Sequence, residues 1–357
     1  MTGQAQDVRR RVTIKDVARA AGVSPGLVSI VFNNVPGASA ESRKRVRQAA
    51  RELGYQPDAR ASLLRRRHAK LLGVSFFVQS AFHGDLLPGI YAAAERASYE
   101  VTLSGWTADR PEERSIRTLL GLRCDAVILL GPEVPEDVLG DVAQDVPVVV
   151  VGRRLAAPVG DSIHTDDGLG MRLAVEHLAS LGHRDIAHVD GGANNVKGDD
   201  RVAGYRAAME ALGLADRIRI IPGGQTVEAG SAAAGRLLAD RGPETAVVAF
   251  DDDLAWGMIA TLQATGLSVP GDLSVVGYDG SRLSRMVPLS RMTTIRQDAD
   301  AMAALAVERA VRRVEDPAIE VDEIVMPPSL TLGSSSSALG ARGPAAGHDG
   351  GSRRRRR

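Results

Sequence analysis

Residues 13–34 read TIKDVARAAGVSPGLVSIVFNN, and their apolar spacing leaves little choice of local fold. Ile14, Val17, Ala18 and Ala21 share one face of a short helix. Thr13, with Asp16 three residues on, has capping-box form, so a hydroxyl and a carboxylate can satisfy the free amides of a helix start. Gly22 breaks the pattern. Ser24 then stands as a second N-cap, with Pro25 at the first helical position, where a missing N–H costs nothing. Val23 can staple against Val28 across that cap, and Val28, Val31 and Phe32 continue the buried stripe. Helix, glycine turn and helix predict a helix-turn-helix whose second helix fits a DNA major groove. A plain pair of packed helices would share the pattern, so the residues beyond it decide.

Ser39 caps a predicted third helix with Val46, Ala49, Ala50 and Leu53 on one face, and Gly54 sits where a left-handed terminating residue belongs. Tyr55-Gln56-Pro57-Asp58 marks a boundary before a short helical stretch, 59–67. Together, TIKDVARAAGVSPGLVSIVFNN and LGYQPDARASLL resemble the DNA-binding headpiece and hinge of the lactose-repressor (LacI/GalR) family of bacterial transcription regulators. The similarity extends to about Leu332.

The formal net charge of zero conceals an asymmetry. Residues 1–70 hold 15 Lys and Arg against 5 Asp and Glu, residues 71–333 hold 23 against 38, and residues 334–357 hold 6 against 1. A basic end on an acidic body is the footprint of a chain that meets phosphate at one end, although a solvated basic face looks the same. The single cysteine, Cys124, lies in the apolar run CDAVILL, which points to a buried thiol and forbids any disulfide within the chain. No leader-like apolar region and no run of ~18 apolar residues occur, so a cytoplasmic protein with no membrane partner is expected.

A length of 357 residues suits a headpiece plus a two-lobed body. Residues 1–11 read as a disordered arm, 12–55 as the headpiece, 56–70 as the hinge, 71–332 as the body and 333–357 as a disordered basic tail. From Leu71, β-rich runs (LLGVSFFV, EVTLSG, DAVILL, PVVVVG) alternate with helical segments, and a second series runs from DIAHVDGG through AVVAF to LSVVGYDG. The fold class is α/β: an all-α helix-turn-helix headpiece and a periplasmic-binding-protein-like body of two doubly wound parallel sheets. Lobe one is expected at 71–162 and 291–326, with the strand in MTTIR returning to it as the resemblance implies, and lobe two at 163–290. A cleft between such lobes, rimmed by the C-terminal ends of strands, is where small ligands bind.

The resemblance implies base-reading positions at Pro25, Gly26 and Ile30, with Ser24, Leu27, Ser29 and Asn33 near phosphate or packing beneath, and Thr13 and Tyr55 completing the DNA-facing set. Family members usually carry Thr at Leu27 and often Arg at Ile30, and Pro25-Gly26 offers no side-chain donor. Hydrogen-bonded readout is therefore thin, leaving apolar contact with thymine methyls and shape readout, or simple packing of Leu27 and Ile30. In the hinge, Leu64 matches the family's lever leucine that wedges into a minor-groove step, small Ala61 lets paired hinge helices approach, and Arg65, Arg66, Arg67 and Lys70 face phosphate. A flexible linker with a basic run is the alternative.

Effector contacts implied by the resemblance are Phe82 and His83 in the loop after the first body strand, Arg201 in DDRVAGY, Asn195 and Lys197 just before it, Asp252 at the head of DDLAWG, and Asp279 in GYDG. Asp251 stands where Asn is frequent. Each carboxylate could instead cap a helix. No HExxH, paired CxxC or GxxxxGK[ST] occurs, and His183-Arg184-Asp185 has Asp190 where a kinase loop needs Asn, so neither an enzyme, a metal nor a cofactor is expected. The sequence reads as a regulator, most simply a repressor, that binds a pseudo-palindromic double-stranded operator as a homodimer under a sugar or nucleobase-like ligand. A periplasmic sugar receptor, a sugar or nucleoside enzyme, and an activator or nonspecific architectural protein are the rivals.

Overall fold

The computed structural model describes residues 12–32, 36–55, 69–193, 195–285 and 291–340. The arm, Asn33, residues 56–68 of the expected hinge with Ala61, Leu64 and Arg65, and the side chain of Lys197 lie outside those residues. The chain divides into two compact units, 1–69 and 70–357.

In the first unit, α1 (Ile14–Ala21), α2 (Pro25–Phe32) and α3 (Ala40–Leu53) follow the predicted caps. The Thr13 N–H and hydroxyl both donate to Asp16 Oδ2, at 2.9 and 2.6 Å. Gly22, at φ +63°, ends α1, and the Val23 N–H returns to the Ala18 carbonyl at 3.0 Å. That is a left-handed stop which a Cβ would strain. The Leu27 N–H donates to Ser24 Oγ at 3.2 Å, so the turn hands the chain into α2 already capped. Val17, Val28, Val31 and Val46 form the centre of a small core, with Val23, Phe32 and Tyr55 packed around it.

The second unit begins with β1 (Leu71–Phe77), α4 (Ala81–Arg96), β2 (Glu100–Trp106), α5 (Glu112–Gly121), β3 (Ala126–Leu130), α6 (Glu136–Asp145), β4 (Val148–Val151) and β5 (Asp161–Thr165). Then come α7 (Asp167–Ser180), β6 (Ile186–Val189), α8 (Val196–Ala211), β7 (Arg219–Ile221), α9 (Val227–Ala239), β8 (Ala246–Ala249), α10 (Asp252–Ala264), β9 (Ser274–Asp279) and α11 (Arg282–Arg285). The last elements are β10 (Thr293–Arg296), α12 (Ala299–Glu315), β11 (Glu323–Met326) and β12 (Ser329–Thr331). One six-stranded sheet, ordered β11-β5-β4-β3-β1-β2, is wholly parallel. The other, β12-β10-β9-β8-β6-β7, is parallel except where β12 runs against β10. Continuous apolar strands such as Val148–Val151 are buried throughout, as helices on both faces require.

The chain crosses between lobes after β5, after β10 and after β11. This corrects the expected lobe boundaries. The strand in MTTIR, β10, pairs with β9 and stays in the second lobe, and the return to the first comes only with α12, which packs on α4 and β3–β5. The connections are tied to one another. The Asp166 N–H donates to the Met326 carbonyl at 2.9 Å, and the Thr165 hydroxyl donates to Gln297 Oε1 at 2.6 Å.

A second correction concerns the serine run, expected to lie in a disordered tail. Residues 334–339 are hydrogen-bonded along the second sheet: Ser335 Oγ accepts from the Thr293 N–H at 2.9 Å and donates to the Val275 carbonyl at 2.6 Å, while its own carbonyl accepts from the Val275 N–H at 2.7 Å. The Leu339 N–H reaches the Leu181 carbonyl at 2.9 Å. Small hydroxyl side chains here satisfy backbone groups at the starts of β9 and β10, which composition alone does not register. Cys124 is buried, and burial followed by the neighbouring Asp125 charge pushes its thiol up to about 12, so it stays an inert core residue. Among the described residues no helix is long and apolar enough to cross a membrane.

His188 sits at the middle of β6 with no exposure; its Nδ1–H donates to the Val248 carbonyl at 2.9 Å, and Nε2 has no hydrogen-bond partner among the described residues. Burial holds it neutral, lowering its pKa from 6.5 to about 4. Because the folded value lies below the unfolded one, its contribution is whole above about pH 6.5 and is lost as pH falls towards 4, on the order of 3 kcal/mol. Urea titrations across that range should show a His188→Gln variant losing less stability on acidification than the wild type; parallel slopes would refute this.

Candidate functional site

Between the lobes, Ser80, Phe82, His83 and Leu86 after β1 and Val151-Gly152 at the end of β4 face Arg201, Gln225, Phe250, Asp251, Asp279 and Gln297 across a narrow cleft. Most of these stand at or just beyond the C-terminal end of a parallel strand, where doubly wound sheets leave a crevice. Arg201, from α8, is 4% exposed and reaches this space from below. Its Nε donates to Asp167 Oδ1 at 3.1 Å, its Nη1 donates to the Phe250 carbonyl, and its Nη2 lies 3.5 Å from Asp279 Oδ1. The guanidinium is also sandwiched by the rings of Phe250 and Tyr278, at 4.5 and 3.7 Å. Burial works against its charge, but Asp167 and Asp279 outweigh it and raise the pKa, so the group stays protonated.

Asp279 holds φ +105°, a strained backbone for a non-glycine residue, and its carboxylate accepts from Gln297 Nε2 at 2.7 Å. Gln297 lies in the crossing after β10, so the same side chain joins the Arg201 network to the interlobe connection at Thr165. Contacts at the mouth also run from lobe to lobe. Asp253 Oδ2 accepts from the Ala81 N–H at 3.0 Å, Asp85 Oδ2 accepts from the Arg282 N–H at 2.7 Å, and Gln225 donates to Glu133 Oε1.

Of the residues expected to meet a ligand, Phe82, His83, Arg201 and Asp279 are brought together. Phe82 and His83 stand in the first turn of α4 and not in a loop, because Ser80 caps that helix by accepting from the His83 N–H at 3.3 Å. His83 Nδ1 in turn accepts from the Phe77 N–H at 3.1 Å, which puts its proton on Nε2. Asn195 is spent on the N-cap of α8: its Oδ1 accepts from the Gly198 N–H at 3.2 Å and its Nδ2 donates to the Gly191 carbonyl at 3.3 Å. Asp252 is fully buried and is not among the residues lining this cleft; it accepts from the Ser281 N–H and the Thr294 hydroxyl, both at 2.7 Å. The neighbouring Asp251 takes the place at the wall. Sequence reasoning also missed Ser80, Leu86, Val151, Gly152, Gln225, Phe250 and Gln297. Their position at strand ends was the available signal for several of them. No group of three or more His, Cys, Asp or Glu among the described residues could hold a metal.

On the headpiece, Ser24, Pro25 and Gly26 are exposed at the start of α2, Leu27, Ser29 and Ile30 are partly exposed, and Thr13 is exposed at the start of α1. Ile30 lies near Gly37, so part of its side chain packs. Tyr55 sets its ring 5.6 Å from that of Phe32, closing the headpiece core with its body.

A profile for bacterial regulatory proteins of the lacI family matches residues 13–58, and one for the periplasmic binding protein-like domain matches residues 175–336. The transcriptional regulator GalR of Escherichia coli strain K12 is 32% identical over 320 residues, covering 88% of this chain and 93% of that protein. A crystal structure of a LacI transcriptional regulator from Rhodococcus is 42% identical with a TM-score of 0.71, over 75% of this chain and 99% of the other. The lac repressor dimer, solved bound to operator and the anti-inducer ONPF, superposes with a TM-score of 0.78 at 27% identity, over 92% of this chain and 100% of that one.

Separate roles for adjacent aspartates make a testable distinction. Asp252→Ala strands the buried Ser281 N–H and Thr294 hydroxyl and should cost roughly 2–4 kcal/mol in denaturant unfolding of the body. A loss below about 1 kcal/mol would remove the structural role assigned to it.

Proposed function

The chain belongs to the lacI family of bacterial regulatory proteins, and on that footing we propose that it is a repressor binding a pseudo-palindromic operator as a homodimer, controlled by a small polar ligand between its lobes. It is a DNA-binding transcription regulator and not an enzyme, as its relatives are. The observation that carries the finer reading is the pairing, in one chain, of a capped helix exposing its first turn with a body whose cleft gathers one buried arginine, two carboxylates and two phenylalanines.

Readout at the base edges is thin, because Pro25 and Gly26 supply no side-chain donor, so indirect readout carries more of the specificity. The hinge supplies it. In this reading Leu64 of each subunit wedges into a central minor-groove step, and the basic run beside it neutralises phosphate. The lac repressor's solution as an operator-bound dimer supports the pairing of two headpieces. The ligand, a sugar or nucleobase-like molecule, acts by binding the two lobe arrangements unequally, since nothing else can shift an equilibrium. The contacts Asp253 to Ala81, Asp85 to Arg282 and Glu133 to Gln225 are those a change of lobe angle would remake.

Selection of bound fragments from the source genome should enrich an inverted repeat whose centre tolerates only an easily kinked step. Leu64→Ala should lose that central preference, and raising salt from 50 to 200 mM should weaken both proteins by at least about tenfold. Salt-sensitive binding without an enriched sequence, equal in both, would discard the operator.

A further inference from the structure

Asp253 stands in the first turn of α10 in the second lobe, yet its hydrogen bond is to the first lobe: Oδ2 accepts from the Ala81 N–H, at the start of α4, at 3.0 Å. The relation is exclusive on both sides among the described residues, for Ala81 has no other acceptor and Asp253 no other donor and no ion pair. Both groups leave water to make this contact, and Asp253 is only 4% exposed. Around it lie Asp85 on α4, Arg282 on α11, Asp279 at the end of β9, and Asp251 and Asp252 beside it on its own helix start. His83, also on α4, is neutral, its Nδ1 accepting from the Phe77 N–H. The one cation among these groups is spent elsewhere: the Arg282 guanidinium is 3.9 Å from Asp85 and more than half exposed. A carboxylate closed into this joint therefore exchanges its water for a single amide dipole. Burial pushes the carboxyl up to about 7, and the Ala81 N–H draws it back only in part. Parting the lobes returns water to it, and with water its ordinary value near 4.

We propose that Asp253 is a proton-linked latch between the lobes: closing them onto Ala81 takes up a proton at this carboxyl, so acid holds the lobes together and alkali lets them part. The inference rests on the reading that the lobes change their angle. Because the closed arrangement has the raised value, its advantage is whole below about pH 4, is lost as pH rises towards 7, and is level above that. One proton makes the closed-to-parted ratio fall by up to about tenfold per pH unit, or about a hundredfold between pH 5 and 7. A neutral carboxyl still offers its carbonyl oxygen to the Ala81 N–H, so the contact survives protonation and loses only the cost of a buried charge. Any ligand that favours one arrangement over the other inherits the same pH dependence.

Hydrogen exchange of the Ala81 amide reads the latch directly, since Asp253 is its acceptor. The test follows it in the full chain by fragmentation mass spectrometry from pH 5 to 8, with the intrinsic pH dependence of exchange divided out. Protection at Ala81 should fall by roughly thirty- to a hundredfold from pH 5 to 7 and then level. Asp253→Asn keeps a side-chain acceptor and removes the proton, so its protection should change by less than about threefold over the same range. A flat wild-type profile overturns the inference, and this holds whether or not the variant folds. So does a fall as steep in the variant, or one shared by the amides of β3 and β8, which open only when whole sheets do. Enrichment of an inverted repeat by the same preparations reports on the regulator reading independently: its loss with an intact pH profile sinks that reading and leaves the latch.

Discussion

A guanidinium removed from water must be neutralised where it lies, and the second lobe is arranged around doing so for Arg201. Its partners come from the first residue of α7, the end of β8 and the end of β9, so the arginine can keep its charge only if those three segments converge. Asp279, bent into a strained conformation, passes the constraint to Gln297, and Gln297 passes it to Thr165 in another connection between the lobes. The cleft floor and the crossings between the lobes are thus one hydrogen-bonded unit.

The run Asp251-Asp252-Asp253 shows how local geometry separates identical side chains. One caps α10 and faces the cleft, the next is sealed into the joint between β9 and β10, and the third grips the start of α4 in the other lobe. For Asp253, burial pushes the carboxyl up to about 7. The helix start spreads them: Asp251 is the extended N-cap, while Asp252 and Asp253, successive residues of the first turn, point about 100° apart. Wall, joint and latch therefore sit on three successive residues at one helix start.

How much of this was legible in the sequence depended on whether the deciding interaction was local. The headpiece was, because caps, glycine stops and a 3.6-residue period are written within a few residues of one another: Ser24, Gly22 and Ser39 act as read. The sheets were legible too, from apolar runs such as Val148–Val151. What was hidden depended on distant partners. Nothing near Asp252 reveals Thr294, and nothing near β10 states which sheet it will join. The start of α4 was misplaced because Ser80 declares itself a cap only through the fold that follows. The serine run was misread because its composition is that of a tail, while its hydroxyls serve β9 and β10. Neutral cleft residues such as Gln297 and Gln225 carry no chemical signature and become visible only by position.

The ordered serine segment has a consequence for the protein's birth. The three-helix headpiece is complete once residue 55 has been made, whereas the second sheet is finished only by residues 329–339, and the first waits for 323–326. At ribosomal rates of roughly 5–20 residues per second, the interval is on the order of 15–60 seconds. Throughout it, each nascent chain carries its DNA-binding headpiece ahead of a body whose two sheets are still incomplete.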